Sequence, residues 1–383
     1  MQQLTYIRKN TLQWRDVATP TLQSPDAALV RPFVAARCDG DPLFLHRDLA
    51  WAMNTGVALH YLDPVVSTML GEHPFAGPFA VGHEGVAEVI EVGVHVKQFK
   101  VGDVVIVPWA ISCGSCAHCR IGLTSRCGSH DGTLLSAYGF GRAMGDFGGM
   151  VSDCLRVPHA DAMLVAVPRG VDPLALASAS DNIPDGWRCV APQLKARPGA
   201  PVLVVGGAAQ SIGLYAAGLA VALGSTRVDY LDWQRERLDI AAAFGANPVV
   251  VPKSARNKWL KRHAPVVCGD FPVSVDASAN PDGLRYALRS LAPGGICTSV
   301  GYYFQKGTAI PLIQMFANDS TLRTGVSHAR AALPEVLALI ASGRFDPTRV
   351  TTLVADWSEA PLAFLERTTK VVVRRAPLSV RAS

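Results

Sequence analysis

Residues 201–213 read Pro-Val-Leu-Val-Val-Gly-Gly-Ala-Ala-Gln-Ser-Ile-Gly: a short apolar run, a glycine turn and the start of an apolar helical stretch. A strand that passes through glycines into a helix offers backbone N–H groups and the positive end of a helix dipole to an anion, as in sites that receive the pyrophosphate of a dinucleotide. The turn departs from a strict G-x-G-x-x-G, because Ala208 stands where a middle glycine is expected. Alone it is a weak signal. Asp232 strengthens it, ending the next apolar run where a carboxylate would accept hydrogen bonds from the adenosine ribose hydroxyls. Such a carboxylate repels a 2′-phosphate, which favours NAD over NADP. The bland alternative is a tight strand-to-helix turn with a solvated aspartate.

Working outward, strands and helices alternate: strands near 202–205, 228–231, 249–251, 273–276, 296–300 and 322–324, with helices near 212–223 and 235–244. This alternation predicts a doubly wound parallel sheet over residues 173–325. Before it, short runs at 87–92, 104–107 and 164–167, separated by glycine and proline, predict a mostly β domain. After it come a helix near 331–342, an apolar run near 350–354, a helix near 361–367 and a strand at 371–373. These are too few to close a domain, so residues 1–172 and 326–383 should form one discontinuous domain with the α/β domain inserted.

Composition limits the function classes. With 383 residues, 49% hydrophobic and 17% charged, the chain can bury a large core, which excludes wholesale disorder. The net charge of +5 is spread without a long basic block, giving little support to nucleic-acid binding. Residues 198–226 carry no charge, but Gly206, Gly207 and Gly213 interrupt them and mark core rather than a membrane span. The first ten residues, MQQLTYIRKN, resemble neither a signal nor a transit peptide, and the expected location is the cytoplasm.

Nine cysteines is an odd number, and four crowd into C-x2-C-x2-C-x7-C at Cys113, Cys116, Cys119 and Cys127. A loop this short can wrap four thiolates around one Zn²⁺ with no position left for water, which marks a structural site. Backbone N–H groups and the cations Arg120 and Arg126 could offset its formal −2 charge. An iron–sulfur reading shares the first three cysteines, but the fourth is wrongly spaced. Four unmetallated buried thiols are disfavoured by the polar neighbours Ser112, Ser115 and His118.

Together with Cys38-Asp-Gly-Asp41, Gly82-His-Glu-Gly85, Ser180-Asp-Asn-Ile-Pro-Asp-Gly186 and the closing Lys370-Val-Val-Val, these motifs resemble the zinc-dependent medium-chain dehydrogenase/reductase family over nearly the whole chain. The resemblance implies a GroES-like β domain carrying a catalytic zinc, with an inserted Rossmann domain. It makes Cys38, His83 and Asp181 the zinc ligands, Glu84 an intermittent fourth ligand, and Asp41 a partner that orients His83. Asp181 resembles the third ligand of the aspartate-using branch, which includes tetrameric bacterial alcohol dehydrogenases and glutathione-independent formaldehyde dehydrogenases. Gly206, Gly207, Ile212, Gly213, Asp232 and Arg237 are the implied NAD contacts, with Val300, Gly301 and Tyr302 along the nicotinamide half. Singly, each ligand has a bland reading: a core thiol, a buried imidazole, a helix cap.

The implied activity is hydride transfer between an alcohol and NAD, giving an aldehyde or ketone, with zinc lowering the pKa of the alcohol in a cleft that excludes water. A polyol or amino-alcohol dehydrogenase, a formaldehyde dehydrogenase or dismutase, and a non-enzymatic zinc protein are the competing readings. Two departures stand out. Gly40 and Leu43 replace the family's usual relay residues, which leaves Asp39, His46 or ordered water to carry the proton. Cys38 and His83 are also unusually far apart, because of an insertion at about 43–73 containing Phe44, Trp51, Met53, Leu59, Tyr61 and Leu62. Residues 48–62 predict a helix with one apolar face, either a lid favouring bulky apolar alcohols or a packing surface. The resemblance also implies a homodimer or homotetramer, with 309–316 as a contact segment.

Overall fold

The computed structural model describes residues 1–71, 73–129 and 134–378, so residues 379–383 of the expected discontinuous domain lie outside it. The chain forms two compact units. One comprises Met1–Asp181, His328–Ala341 and the chain from Thr351 onward; the other comprises Asn182–Ser327 and Ser342–Val350.

The second unit is built on a six-stranded parallel sheet. In spatial order its strands are Asn247–Val250, Val228–Asp232, Val202–Val205, Phe271–Asp276, Leu291–Ser299 and Thr321–Arg323. Numbered within the sheet this is 3-2-1-4-5-6, the doubly wound Rossmann order, whose switch point lies beside Val202–Val205. The helix Gln210–Ala222, apolar after its first two residues, is buried along most of its length, as a helix covered on several sides must be. The helix Asn182–Ala196 packs on it, and Gly186 permits the approach: a Cβ there would stand 2.9 Å from the Ala216 nitrogen.

The first unit carries a mostly antiparallel sheet in the order Leu353–Asp356, Val371–Arg374, Ala28–Ala36, Glu84–Val92, Val104–Ile106 and Val165–Ala166. Leu155–Val157 also pairs with Ala28–Ala36. A second, three-stranded sheet joins the hairpin Gln2–Arg8 and Thr11–Asp16 to Phe79–Ala80. Between these sheets and the first helix, Tyr6, Phe44 and Phe79 interlock with ring centroids 5.0–5.3 Å apart. Pro32 falls within a strand, a position proline rarely takes, and the ladder accommodates it by shifting register between Pro32 and Val34. Among the described residues no helix is long and apolar enough to cross a membrane.

Candidate metal centres and dinucleotide turn

Cys38 lies two residues past the strand Ala28–Ala36 in a turn closed by Asp41, whose Oδ2 accepts from the Cys38 nitrogen at 3.0 Å and whose nitrogen donates to the Cys38 carbonyl at 3.2 Å. The Gly40 nitrogen points at the Cys38 Sγ at 3.4 Å. His83 immediately precedes the strand Glu84–Val92, after Gly82 at φ +91°. Asp181 is brought alongside by its neighbour: Ser180 Oγ accepts from the Gly85 nitrogen at 3.0 Å and donates to the Gly85 carbonyl at 3.1 Å. Three distant segments thereby converge. Cys38 Sγ is 3.3 Å and His83 Nε2 3.6 Å from Asp181 Oδ2, and the three donor atoms lie within 4.8 Å of one another.

This cluster fits a zinc ion. Burial pushes the Cys38 thiol far above its ordinary range, and Asp181, Glu84 and Asp41 push it further, so only a cation would hold it as a thiolate. One sulfur, one imidazole nitrogen and one carboxylate could serve as the three protein ligands of a catalytic zinc site. Asp181 keeps 14% of its side chain exposed, whereas His83 is sealed. His83 stacks on Phe140 at 4.7 Å and meets Trp109 edge-on. Burial lowers its pKa, yet Asp41, Asp181 and Glu84 outweigh burial and leave it raised.

Asp41 faces the ring, but its Oδ1 stands 4.0 Å from His83 Nδ1, beyond hydrogen-bond reach, and both atoms are without a partner. Glu84 is adjacent to the trio and outside it. Its carboxylate takes Lys370 Nζ at 2.5 Å and Ser178 Oγ at 3.4 Å. His46 ends the helix Asp41–His46 with Nδ1 3.5 Å from Asn10 Oδ1.

Cys113, Cys116, Cys119 and Cys127 likewise bring four sulfurs within 4.8 Å. Nitrogens of Cys113, Cys116, Cys119 and Gly128 point at these sulfurs at 3.3–3.5 Å, and Ser129 Oγ donates to Cys113 Sγ at 3.0 Å. The charge is thus met by dipoles of the loop itself. Burial raises the Cys113 pKa, but hydrogen bonds from Ser129, Ser115 and the amides bring it down to about 5. Four convergent sulfurs suit a closed tetrahedral ion.

In the second unit, Gly206 and Gly207 occupy places where no side chain fits: a Cβ would stand 2.6 Å from Asp232 Oδ2 and 2.6 Å from the Ser278 Cα, respectively. Gly213 lets the helix approach Ala277, and Ile212 is buried. This close-packed turn is what dinucleotide approach demands. Two of its amides are already engaged, however, since the Ala208 and Ala209 nitrogens donate to the Ser278 and Ala277 carbonyls. Asp232 is 1% exposed, and five donors converge on its carboxylate: Trp233 N, Gln234 N, Tyr230 OH, and Arg237 through Nε and Nη2. Val300, Gly301 and Tyr302 follow the strand Leu291–Ser299, with Tyr302 half-exposed and stacked on Phe304.

The insertion does form a helix, Leu49–Ala58, but without the single apolar face expected of it. Met53 turns inward while Trp51, Leu59 and Tyr61 face solvent, and Phe44 belongs to the preceding helix, buried in the core. The apolar residues serve two surfaces, a split that spacing alone does not reveal. Sequence reasoning also missed the partner of Glu84. Lys370 was visible only as part of a closing motif, 286 residues away from the carboxylate it meets.

Residues 53–169 match the model of the alcohol dehydrogenase GroES-like domain, and residues 211–342 that of the zinc-binding dehydrogenases. A probable zinc-binding alcohol dehydrogenase of Mycobacterium tuberculosis is 28% identical over 89% of this chain and 78% of its own length. A glutathione-independent formaldehyde dehydrogenase of Bacillus subtilis is 31% identical over 66% of this chain and 63% of its own. The solved alcohol dehydrogenase of Thermus sp. ATN1 superposes with a TM-score of 0.80 at 27% identity, covering 98% of this chain and 99% of that one. Two domain matches in the expected order, on a GroES-like unit and a Rossmann sheet, place this chain in the zinc-dependent medium-chain dehydrogenase/reductase family, as an alcohol oxidoreductase.

Proposed function

We propose that Cys38, His83 and Asp181 hold the catalytic zinc and the four cysteines a second, structural zinc, and that the enzyme oxidises a bulky, apolar alcohol to its aldehyde or ketone. The observation carrying this reading is the convergence of three chemically different donors within 4.8 Å. When bound, zinc supplies Lewis acidity at the substrate oxygen and NAD accepts the hydride. Around that chemistry, Asp181 presents its carboxylate toward solvent, Phe140 and Trp109 keep water from the His83 ring, and Lys370 restrains Glu84. With Gly40 and Leu43 at the usual relay positions, the alcohol proton leaves through Asp39, His46 or ordered water.

Substrate class rests on the insertion. Trp51, Leu59 and Tyr61 are 68%, 60% and 70% exposed, apolar side chains of the insertion that a bulky apolar substrate would cover. A polyol or amino-alcohol substrate, or formaldehyde dismutation with tightly held NAD, is the alternative supported by the altered relay. A panel of alcohols and aldehydes with NAD, run on protein of known zinc content, separates them. Specificity constants for long or aromatic alcohols should exceed those for ethanol, and equal constants would count against the apolar reading. Disproportionation without added NAD would favour the dismutase.

A homodimer or homotetramer completes the reading. The helix Leu312–Ala317 leaves Leu312, Ile313 and Phe316 at 66%, 80% and 84% exposure, as a subunit contact would. Sedimentation analysis checks this, and a monomer would refute it. A cytoplasmic setting suits nine cysteines without a disulfide among the described ones.

A further inference from the structure

We infer that Arg256 is a phosphate ligand of the dinucleotide, recruited because the glycine turn and its aspartate are already internally satisfied; this rests on the second unit binding NAD. Arg256 opens the helix Arg256–His263, and its guanidinium lies over the Trp233 ring at 4.3 Å. Trp233 directly follows Asp232 at the carboxyl end of Val228–Asp232, where open parallel sheets bind their ligands. Arg256 Nη2 reaches the carbonyl of Gly206, the first glycine of the turn, at 3.5 Å. The side chain therefore sits directly above the turn.

By formal charge this corner is neutral, Asp232 and Asp276 against Arg237 and Arg256, but both carboxylates are filled by donors other than Arg256. Arg237 is fully engaged, with Nε and Nη2 on Asp232 and Nη1 on Gln210 Oε1 at 3.0 Å. Asp232, closed by five donors, has no lone pair left for a second guanidinium. Asp276, the next carboxylate along the strand ends, is taken by Ser278, Ser299 and Tyr303. Among the described residues Arg256 makes no ion pair, although it is half-buried. Burial lowers its pKa, and the nearby charges of Asp232 and Asp276 offset this only in part. A planar guanidinium backed by an indole is a common receiver of phosphate oxygens.

The turn supplies the complementary need. With the Ala208 and Ala209 amides donated to backbone carbonyls, fewer N–H groups remain to meet a phosphate than in a strict glycine motif. A side-chain cation makes up the difference. The phosphate could be the pyrophosphate or a 2′-phosphate, since Arg237 neutralises the aspartate that would repel the latter.

Calorimetric titration of the full-length protein and its Arg256→Gln and Arg256→Lys variants with NADH, NADPH, ADP, 2′-AMP and adenosine tests the assignment. Arg256→Gln should weaken the phosphate-bearing ligands by about tenfold, leave adenosine unchanged, and be partly rescued by lysine. Loss for ADP, NADH and NADPH with 2′-AMP unchanged identifies the pyrophosphate as the guest; loss confined to 2′-AMP and NADPH identifies the 2′-phosphate. Unchanged affinities in a variant whose parent binds normally would overturn the role of Arg256, as would equal weakening of adenosine. A parent protein binding none of the five would overturn the dinucleotide reading itself, and an unaltered thermal midpoint shows that the variants are folded.

Discussion

Lys370 Nζ and Glu84 Oε2 meet at 2.5 Å with neither side chain exposed, and Lys370 also donates to the Arg37 carbonyl at 3.0 Å. The pair ties the strand that follows His83 to the last strand of the same sheet. Burial pushes the Glu84 pKa up, and Lys370 opposes it. Removing one partner leaves a buried charge alone, which typically costs about 3–5 kcal/mol. Lys370→Met should therefore lower the denaturant midpoint strongly, and the double variant with Glu84→Gln should recover part of the loss. A Lys370→Met protein as stable as its parent would show that the pair contributes nothing.

Zinc content separates the two metal centres. The native chain should carry two ions, Asp181→Asn or Cys38→Ser one, with the remaining ion held by the four cysteines. Elemental analysis of purified protein reads this directly. Retention of both ions in Cys38→Ser would place the second zinc elsewhere. Cys116→Ser should instead lower the thermal midpoint, since a closed site contributes to folding.

Gly207→Ala tests the turn. Its added methyl would meet the Ser278 backbone at 2.6 Å, where nothing flexible can yield. Overpacking of this kind costs about 1–3 kcal/mol, and moving the turn should raise the KM for NAD at least several-fold. An unaltered melting temperature and KM would mean that the helix start can shift freely.

Acid should selectively erase one surface contribution. Burial raises the Asp153 pKa, but hydrogen bonds from Arg375 and the Gln2 nitrogen, with help from the amino terminus, leave it below the ordinary carboxylate range. The native state thus binds its proton less readily than the unfolded chain. The stability from this pair is fully present above the unfolded pKa of about 3.9 and disappears as pH falls through the lower folded value. Asp153 is 43% exposed, so the contribution should stay below about 1 kcal/mol. Melting Asp153→Asn beside its parent checks this: a small deficit at pH 7 should vanish near pH 2, and a deficit that grew on acidification would contradict it.

The inserted sheet was legible because fully buried parallel strands are short apolar runs, and 202–205 and 235–244 were bounded in the sequence as they are in the structure. The helix Asn182–Ala196 was not, because Pro184, Gly186 and Pro192 interrupt a helical pattern that packing restores. The hairpin Gln2–Arg8 and Thr11–Asp16 escaped for a related reason, since its half-exposed strands alternate only weakly. At the site, the residues that converge were singled out by motifs, whereas the saturation of Asp232 was not. Tyr230 carried no signal, and Arg237, expected to contact the cofactor, is instead folded with it onto one carboxylate.

The strand Val371–Arg374 lies between Leu353–Asp356 and Ala28–Ala36, and Arg37 Nη1 donates to the Phe364 carbonyl 327 residues later. A nascent chain leaving the ribosome therefore holds Cys38 and His83 on an unfinished sheet while the Rossmann segment is already complete and able to fold. Metallation of the Cys38 centre should accordingly be among the last events of biosynthesis, and ribosome-stalled chains ending before Lys370 should bind nucleotide before they can hold that zinc.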